Sequence, residues 1–487
     1  MTMNLAEQFV DVARRLPDKQ AVLDDVGTHS YGDLLAAAQA VAHAVRETTD
    51  RDHVGLVAPT SAAFPIAFFG ILLADKVPVP LNFLLEVQSL AYMAQDAGFD
   101  TVVGMKFFEP VIDALGSKPI YLDAPLPLPA TPLVPTRGDD DTAALLYTSG
   151  TLGVPKGVVL THSNFSDNAD SCFRHINVTQ DDVLLGLLPL FHSFGLTTTM
   201  LLPLLGGCGA AYVSKFAPLR VFQVIAESHA TIGFAVASMY RVLIQAGLEA
   251  KPDLSSMRFA IAGGEALGAP LSRKFEEVFD VPLLEGYGLT ETAPVVAVNL
   301  PHRNRQGSVG VMLDWVEAQV VDDADQPLPP NQIGELWLRG KSIAPRYHNR
   351  PDEDAAAFTP DAWFRTGDMA KIDEERFLWI TGRKKELIIS AGENISPNEI
   401  EHVLELHPAV FEVAVLAVPH PTRGEAPKAY VVLNDGAQVV PHDLAVFCRE
   451  HLPRFKVPVA FDFRPELPHS PTGKVHKLTL RRAEGLA

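Results

Sequence analysis

The chain has 487 residues, of which 47% are hydrophobic and 20% are charged, and this composition is typical of a globular protein with several subdomains. Its 59 acidic and 40 basic residues give a net charge of −19, which argues against nucleic acid as the main partner. The three cysteines are widely spaced and form neither a metal-binding pattern nor a disulfide framework, as expected for the reducing cytoplasm. No apolar stretch is long enough for an integral membrane segment, and residues 1–16 lack the pattern of a signal peptide.

Helical and strand-like patterns alternate along the first hundred residues. The apolar spacing from Leu5 to Ala13 predicts an amphipathic helix. Further along, strands are predicted at residues 52–58 and 76–81, and helices at 61–74 and 86–97. This alternation indicates an α/β sheet with helical crossovers.

A loop rich in glycine and hydroxyl residues lies between two strand-like runs, within LLYTSGTLGVPKGVVLTHSN at residues 145–164. Glycines let backbone N–H groups approach phosphate oxygens, hydroxyls donate further hydrogen bonds, and Lys156 supplies a positive charge. The Walker P-loop requires glycine before its lysine and Ser or Thr after it, whereas here Pro155 precedes Lys156 and Gly157 follows. The loop therefore predicts a polyphosphate site of another kind, with a flexible surface loop as the alternative.

Several strand-like runs of the central region end in polar or glycine-rich turns. The run PLFHSFG places His192 before a helix, although a histidine between phenylalanines is by itself more often a packed core residue. Two further strands end in AGGEAL (262–267) and EGYGLTET (285–292). Because open α/β sheets bind ligands at the carboxyl ends of their strands, we expect a ligand beside these turns.

After Pro301 the predicted elements become shorter, and more of them are strands. Two strand-like runs lead to Arg383, and the residues after it resemble a compact α+β module. In that module helices are predicted at 398–406 and 442–451, and strands at 411–418 and 429–433.

Eight motifs, in one order along nearly the whole chain, resemble those of the adenylate-forming ligases. This superfamily includes acyl-CoA synthetases, plant coumarate ligases, firefly luciferase and the adenylation domains of peptide synthetases. The matching motifs are YTSGTLGVPKG (147–157), PLFHSFG (189–195), AGGEAL (262–267), EGYGLTET (285–292), GELWLRG (334–340), FRTGD (364–368), GRKKELIISAGENISPNEIE (382–401) and PTGK (471–474). The resemblance implies two half-reactions. A carboxylate attacks the α-phosphate of ATP, and a thiol, usually that of coenzyme A, then displaces AMP.

The resemblance also implies a role for each matching residue. Contacts to the β- and γ-phosphates are implied for Thr148, Ser149, Gly150, Thr151 and Lys156. Tyr287 is implied to lie against adenine, near the backbone of Gly263 and Gly264. Thr290 is implied to contact the α-phosphate, and Glu291 to bind Mg²⁺, a hard cation that prefers oxygen ligands.

Five further residues complete the implied site. Asp368 matches the carboxylate that accepts hydrogen bonds from the ribose hydroxyls, helped by Arg383. Lys474 is implied to reach from the small domain to the reacting carboxylate and α-phosphate, and His192 to lie beside the acyl carbonyl. Lys385 matches the hinge position of the family.

The expected fold is α/β. A large N-terminal AMP-binding domain at 1–382 has several subdomains, with sheets flanked by helices and a β-rich part, and a small mobile C-terminal α+β domain occupies 383–487. Two positions depart from the family pattern. Leu152 stands where many members carry a second hydroxyl, and Ile389 where luciferase-like members carry a lysine that assists the thiol step.

The residues expected around the acid favour an apolar substrate. Phe234 is followed by Ala235 instead of the aspartate found in amino-acid-activating relatives, so an α-amino acid is not expected. The expected pocket residues are apolar and several are small: Phe234, Ala235, Val236, Ala237, Met239, Ala262, Pro294 and Val295. Burial of an alkyl chain gains about 0.8 kcal/mol per methylene. A medium- or long-chain fatty acid is therefore expected, with an aryl acid as the alternative.

Other functions remain open within and outside this enzyme class. An acyl-acyl carrier protein synthetase or a fatty acyl-AMP ligase uses the same motifs, but the insertion typical of the latter is not apparent before Arg383. This favours coenzyme A over a carrier protein as the acceptor. A luciferase-like oxygenase is disfavoured only by its rarity. A catalytically inactive nucleotide-binding regulator is disfavoured by the intact Glu291, Asp368, Arg383 and Lys474.

Overall fold

The computed structural model describes residues 4–149, 155–469 and 475–486. The α-helices of these residues are, in chain order, α1 (Leu5–Arg15), α2 (Tyr31–Thr48), α3 (Ala63–Leu73), α4 (Val87–Ala97), α5 (Glu109–Ala114), α6 (His162–His175), α7 (Ser193–Gly195), α8 (Leu202–Gly206), α9 (Pro218–Ser228), α10 (Ala237–Ala250), α11 (Ala269–Phe279), α12 (Pro351–Ala357), α13 (Pro397–Glu405), α14 (Pro441–His451) and α15 (Lys477–Ala483). A π-helical turn at Leu196–Leu201 joins α7 to α8. In the described part of the chain, no helix has both the length and the apolarity that crossing a membrane requires.

The strands of the same residues are β1 (Gln20–Leu23), β2 (Thr28–Ser30), β3 (His53–Val57), β4 (Val77–Pro80), β5 (Thr101–Gly104), β6 (Lys118–Tyr121), β7 (Thr142–Ser149), β8 (Pro155–Thr161), β9 (Val183–Gly186), β10 (Gly209–Tyr212), β11 (Ile232–Ala235), β12 (Phe259–Gly263), β13 (Leu283–Gly288), β14 (Val295–Val298), β15 (Gly310–Met312), β16 (Glu317–Val321), β17 (Gly334–Arg339), β18 (Arg346–Tyr347), β19 (Phe364–Ile372), β20 (Phe377–Arg383), β21 (Ile388–Ser390), β22 (Glu393–Ile395), β23 (Val410–His420), β24 (Gly424–Leu433) and β25 (Ala460–Phe463). The predicted mixture of α and β elements is confirmed, with most boundaries within a few residues of those expected.

The predicted N-terminal helix is confirmed as α1, and its start has a local cause. The Asn4 side chain accepts a hydrogen bond from the Glu7 amide, and the Glu7 carboxylate accepts one from the Asn4 amide. These two bonds satisfy amide groups that a helix start otherwise leaves without partners. The apolar face of α1 then packs into the core, where the Phe9 ring stacks on Phe69 at 4.0 Å between centroids.

A parallel sheet and the parallel segment of a larger mixed sheet confirm the α/β class. β4, β3, β5 and β6 form one sheet in that order, with parallel pairing throughout. The main sheet contains thirteen strands of the described chain, in the order β16-β17-β19-β20-β15-β14-β13-β12-β11-β9-β10-β1-β2. Its segment β1-β10-β9-β11-β12-β13 is parallel, and antiparallel pairing starts between β13 and β14. The glycine-rich motifs therefore end neighbouring parallel strands, as predicted.

The segment that contains the glycine- and hydroxyl-rich loop is a β-hairpin. β7 and β8 pair antiparallel, with Thr148 opposite Lys156, and β18 adds to the free edge of β8. The two strand-like runs predicted on either side of the loop are thus confirmed. Gly150, Thr151 and Leu152 lie outside the described residues.

The C-terminal part forms a separate sheet, in which β22, β21, β24 and β23 are neighbours and β25 pairs with β24. Helices α13 and α14 pack on this sheet around apolar residues such as Ile400, Leu404 and Leu444. The helices predicted at 398–406 and 442–451 are confirmed as α13 and α14. This part contacts the rest of the chain through α13 and through Arg241 of α10, which donates a hydrogen bond to the Phe411 carbonyl at 2.8 Å.

Candidate active site

A cavity of about 1310 Å³ opens where β11, β12 and β13 end, and it extends to the β7–β8 hairpin and to helix α13 of the C-terminal part. The candidate residues that line it are Thr148, Lys156, His192, Gly263, Gly264, Tyr287, Thr290, Glu291, Asp368, Arg383 and Lys385. The sequence motifs thus converge on one cavity although they are spread over more than two hundred residues. Ser149 ends β7, and its side chain is not described. Lys474, like the loop residues Gly150 and Thr151, lies outside the described residues.

A buried acidic corner lies on the β19–β20 pair. The register places Asp368 opposite Arg383, and the Arg383 Nε contacts Asp368 Oδ1 at 2.9 Å. The Tyr287 hydroxyl donates to Asp368 Oδ2 at 2.5 Å. Burial of the 2% exposed Asp368 raises the pKa of its carboxyl, and the Arg383 guanidinium and the Tyr287 hydrogen bond oppose this shift. The corner therefore joins a hydrogen-bond acceptor, a cation and an aromatic ring at the cavity wall.

A short turn at Thr290–Thr292 follows β13 and presents Thr290 and Glu291 to the cavity. A Cβ atom at Gly288 would lie 2.1 Å from the Pro294 carbonyl oxygen, so only glycine allows the chain to fold back this closely. The Thr290 hydroxyl lies 3.0 Å from that of Ser193. This hydrogen bond joins the turn to the start of α7.

Lys156 lies among two carboxylates and an aromatic ring. Its Nζ is 3.9 Å from Glu291, 3.6 Å from Glu353 and 3.8 Å from the centroid of the Tyr347 ring. The Tyr347 hydroxyl donates to Glu291 Oε1 at 2.8 Å. Burial raises the pKa of Tyr347, so its hydroxyl remains a donor. The sequence analysis missed Tyr347 because it lies outside the motifs and no local pattern marks it.

The residues at this point fit a magnesium ion. Glu291 offers hard carboxylate oxygens, its side chain is only 12% exposed, and it faces the cavity. In the described ranges no group of three or more His, Cys, Asp and Glu residues could enclose a metal. Mg²⁺ is usually bound by one or two carboxylates together with substrate phosphates, so a single carboxylate beside a lysine that could bind phosphate suits it.

His192 lies next to both the polar and the apolar parts of the cavity. Its Nδ1 accepts a hydrogen bond from the Phe194 amide at 3.3 Å, which makes it the N-cap of α7. Ser193 contacts Thr290 on the polar side, and the Phe194 ring packs edge-on against Phe234 at 6.2 Å on the apolar side. The imidazole therefore lies at the boundary between the two.

The apolar part of the cavity extends along a groove between α6 and β14. Asn168 of α6 donates hydrogen bonds to the carbonyls of Thr292 and Val295, and His175 contacts the Val298 carbonyl further along. The apolar residues that line the groove and belong to one packed cluster are Cys172, Ile176, Leu202, Phe234, Ile261, Val298 and Val309. Since Cys172 follows Asn168 by about one helical turn, it lies further from Thr290 and Glu291. None of these seven side chains carries a charge.

The predicted acid pocket is only partly correct. Phe234, Pro294 and Val295 line the cavity, whereas Ala235, Val236, Ala237, Met239 and Ala262 do not. Ala235, Ala237 and Ala262 face a core cluster on the other side of the sheet. Successive strand residues face opposite sides, and composition does not tell which side holds the ligand. The sequence analysis also missed that α6 forms a wall of the cavity, because the apolar residues of this helix look like those of an ordinary core-facing helix.

Residues on both sides of the proposed hinge also line the cavity. Lys385 lies in a short turn directly after β20 and is exposed to solvent, and desolvation together with the neighbouring Arg383 charge lowers its pKa. From the C-terminal part, Asn398, Glu399, His402 and Lys456 line the same cavity.

Glu285 is a further lining residue that the sequence analysis missed, and burial raises the pKa of its carboxyl to about 8.

Comparisons with known proteins agree on one group. The family described as AMP-binding enzyme matches residues 9–348, and the AMP-binding enzyme C-terminal domain matches residues 399–474. A long-chain-fatty-acid–CoA ligase of Bacillus subtilis (strain 168) is 31% identical, over 98% of this chain and 94% of that protein. A feruloyl-CoA synthase of an Amycolatopsis species is 32% identical, over 97% of each chain. Among solved structures, ATP-bound MatB from Rhodopseudomonas palustris superposes with a TM-score of 0.90 at 31% identity, over 99% of each chain.

Proposed function

Because this chain belongs to the family of AMP-binding enzymes and is an acid–thiol ligase, we propose that it joins an uncharged, apolar acyl group to coenzyme A. A substrate carboxylate attacks the α-phosphate of ATP, which gives an acyl-adenylate and releases pyrophosphate. The thiol of coenzyme A then attacks the acyl carbonyl and displaces AMP. Carboxylate and phosphate repel each other, so the protein contributes mainly charge neutralisation and positioning.

The polar part of the cavity is suited to ATP. We assign Lys156, with Thr148 and the loop that follows it, to the β- and γ-phosphates, and Thr290 to the α-phosphate. Gly263, Gly264 and Tyr287 are assigned to adenine. Mg²⁺ held by Glu291 would neutralise phosphate charge when bound. These assignments are supported by the convergence of the residues on one cavity.

The Asp368 corner is assigned to the ribose. Its carboxylate can accept hydrogen bonds from two neighbouring hydroxyls, and the Arg383 guanidinium opposes the rise that burial causes in its pKa.

The acid is proposed to be a medium- or long-chain fatty acid, and one observation carries this proposal. The groove along α6 is lined by seven apolar side chains of one packed cluster, which offer an alkyl chain a surface on which it can be buried. An aryl acid is the second candidate, because the edge-on rings of Phe194 and Phe234 offer a surface on which an aromatic ring can pack. Relatives of both kinds are consistent with this pair of candidates.

Two half-reactions at one cavity require a moving part. We propose that residues 1–382 and 383–487 are the two domains, that Lys385 is the hinge, and that Lys474 reaches the reacting groups in the first step. His192 at the boundary of the polar and apolar parts is proposed to lie beside the acyl carbonyl. Coenzyme A is the proposed acceptor, with an acyl carrier protein as the alternative. The cytoplasm is the proposed compartment, which suits three free, buried cysteines.

The test is pyrophosphate release across a panel of carboxylic acids, with and without coenzyme A. Straight-chain saturated acids from C4 to C16, aryl acids such as ferulate, and dicarboxylic acids form the panel. We expect the longer fatty acids to give the highest kcat/KM, and thioester to form only when coenzyme A is present. Preferential activation of dicarboxylic acids would contradict the proposed substrate class. Pyrophosphate release without any thioester would contradict coenzyme A as the acceptor.

A further inference from the structure

Tyr347 contacts two charged groups of the proposed ATP site at once. Its hydroxyl donates to Glu291 Oε1 at 2.8 Å, and the face of its ring lies 3.8 Å from the Lys156 ammonium. A hydrogen bond fixes the orientation of a carboxylate, and an aromatic face attracts a cation. The two groups that it contacts are the proposed magnesium ligand and the proposed phosphate-binding cation.

The backbone holds Tyr347 in place independently of any ligand. β18 pairs with β8, so Tyr347 lies opposite Val158, two residues after Lys156. The amide of the next residue, His348, donates to the Gly157 carbonyl at 2.7 Å, and the Tyr347 amide donates to Asp354 at 2.6 Å. Tyr347 is only 3% exposed. Its position is therefore set by the sheet and the chain around it.

The proposed magnesium ligand has a second attachment to the same stretch of chain. The Ala344 amide donates to the Glu291 carbonyl at 2.8 Å, three residues before Tyr347. The backbone of Glu291 is thus bound to the segment that also supplies the partner of its side chain. Without the Tyr347 hydroxyl the backbone would stay in place, but the carboxylate would lose a fixed donor.

We propose that Tyr347 is a positioning residue that sets the orientation of the Glu291 carboxylate through its hydroxyl and the place of the Lys156 ammonium through its ring. This inference rests on the proposed function, since it needs Glu291 to bind Mg²⁺ and Lys156 to bind phosphate. The two contacts use different parts of one side chain, so two substitutions separate them. Tyr347→Phe removes only the hydroxyl, and Tyr347→Leu also removes the ring.

The test measures binding of α,β-methylene-ATP, which cannot release pyrophosphate, by calorimetry over a range of Mg²⁺ concentrations. For Tyr347→Phe we expect the Mg²⁺ concentration for half-maximal analogue binding to rise about tenfold, as for loss of a hydrogen bond to a charged group. Its affinity for the analogue at saturating Mg²⁺ should stay near that of the wild type. For Tyr347→Leu that affinity should also fall, by about fivefold, because the ammonium loses the ring.

Tyr31→Phe is the matched control, because Tyr31 is also buried and its hydroxyl donates to the Cys208 carbonyl at 2.7 Å, outside the residues that line the cavity. It should have the wild-type dependence on Mg²⁺. Thermal unfolding of each variant reports whether it is folded. A folded Tyr347→Phe variant with the wild-type dependence on Mg²⁺ would overturn the inference. If the wild type itself shows no binding of the analogue that depends on Mg²⁺, the proposed function fails instead.

Discussion

Because we propose that the acyl chain lies in the apolar groove, we expect Cys172→Phe to restrict the enzyme to shorter acids. Cys172 lies about one helical turn beyond Asn168, which contacts Thr292 and Val295 next to the turn that carries Thr290 and Glu291. A phenylalanine there adds a ring that occupies the far end of the groove. Acids that end before this point should bind as they do in the wild type.

The size of the effect follows from the burial of methylene groups. Each methylene that enters the groove gains about 0.8 kcal/mol, so kcat/KM for the wild type should rise about fourfold per carbon. The ring replaces a single sulfur atom with six carbons and so excludes about four methylenes. For long acids this loss is about 3 kcal/mol, or roughly two-hundredfold in kcat/KM.

Coenzyme A-dependent pyrophosphate release, measured for saturated acids of increasing length, checks this prediction. The short acids are the internal control, because damage to the fold would lower their kcat/KM as much as that of long acids. Cys172→Ala serves as a second control, since it removes the thiol without filling the groove. An equal loss of kcat/KM at every chain length in Cys172→Phe would refute the proposed path of the acyl chain.

Four further predictions concern single residues. Lys474→Ala should lower adenylation by several orders of magnitude while thioester formation from a supplied acyl-adenylate is largely retained; equal loss of both would contradict its role. His192→Ala should lower kcat, and a thermal unfolding curve should show that the variant is still folded. Unchanged activity would indicate that His192 is only a packed core residue. Lys385→Pro should keep pyrophosphate release but abolish acyl-CoA formation if it traps the adenylating orientation, because proline fixes φ near about −65°; acyl-CoA formation at the wild-type rate would exclude this hinge. The carboxyl of Glu285 has a pKa of about 8 in the folded protein and of about 4.5 in the unfolded chain. The folded state therefore holds this proton more tightly, and the free energy of unfolding should fall as the pH rises between these two values. Urea unfolding should show a weaker fall for Glu285→Gln, and identical pH slopes for variant and wild type would contradict the assignment.

The sequence could indicate the residues of the polar part of the cavity because they lie in motifs that resemble those of the adenylate-forming ligases. Asp368 and Arg383, for example, belong to separate motifs, and both strands were predicted before their register placed the two side chains opposite each other. The element types were predictable because apolar periodicity acts over only a few residues.

The rest of the site depends on contacts between distant segments. Tyr347 meets Glu291 across 56 positions of sequence, and nothing near either residue indicates the other. Cys172 and Ile176 look like a helix face that packs on a sheet, and only the tertiary structure shows that the cavity reaches them. Conversely, Ala235 and Ala262 have the expected small size but face the opposite side of the sheet.

The hydrogen bonds of Asn168 have a consequence for how such an enzyme can change over evolution. This buried amide donates to the carbonyls of Thr292 and Val295 and accepts from the Val295 amide, so it fastens α6 to the turn that presents Thr290 and Glu291. The near end of the groove is thereby fixed relative to Thr290 and Glu291, the residues proposed to contact phosphate and Mg²⁺, whereas positions 172 and 176 lie beyond this attachment. Substitutions at the far end can therefore alter which acids fit without moving the groups that activate them. Substrate range and chemistry can be inherited as separable traits of a single fold.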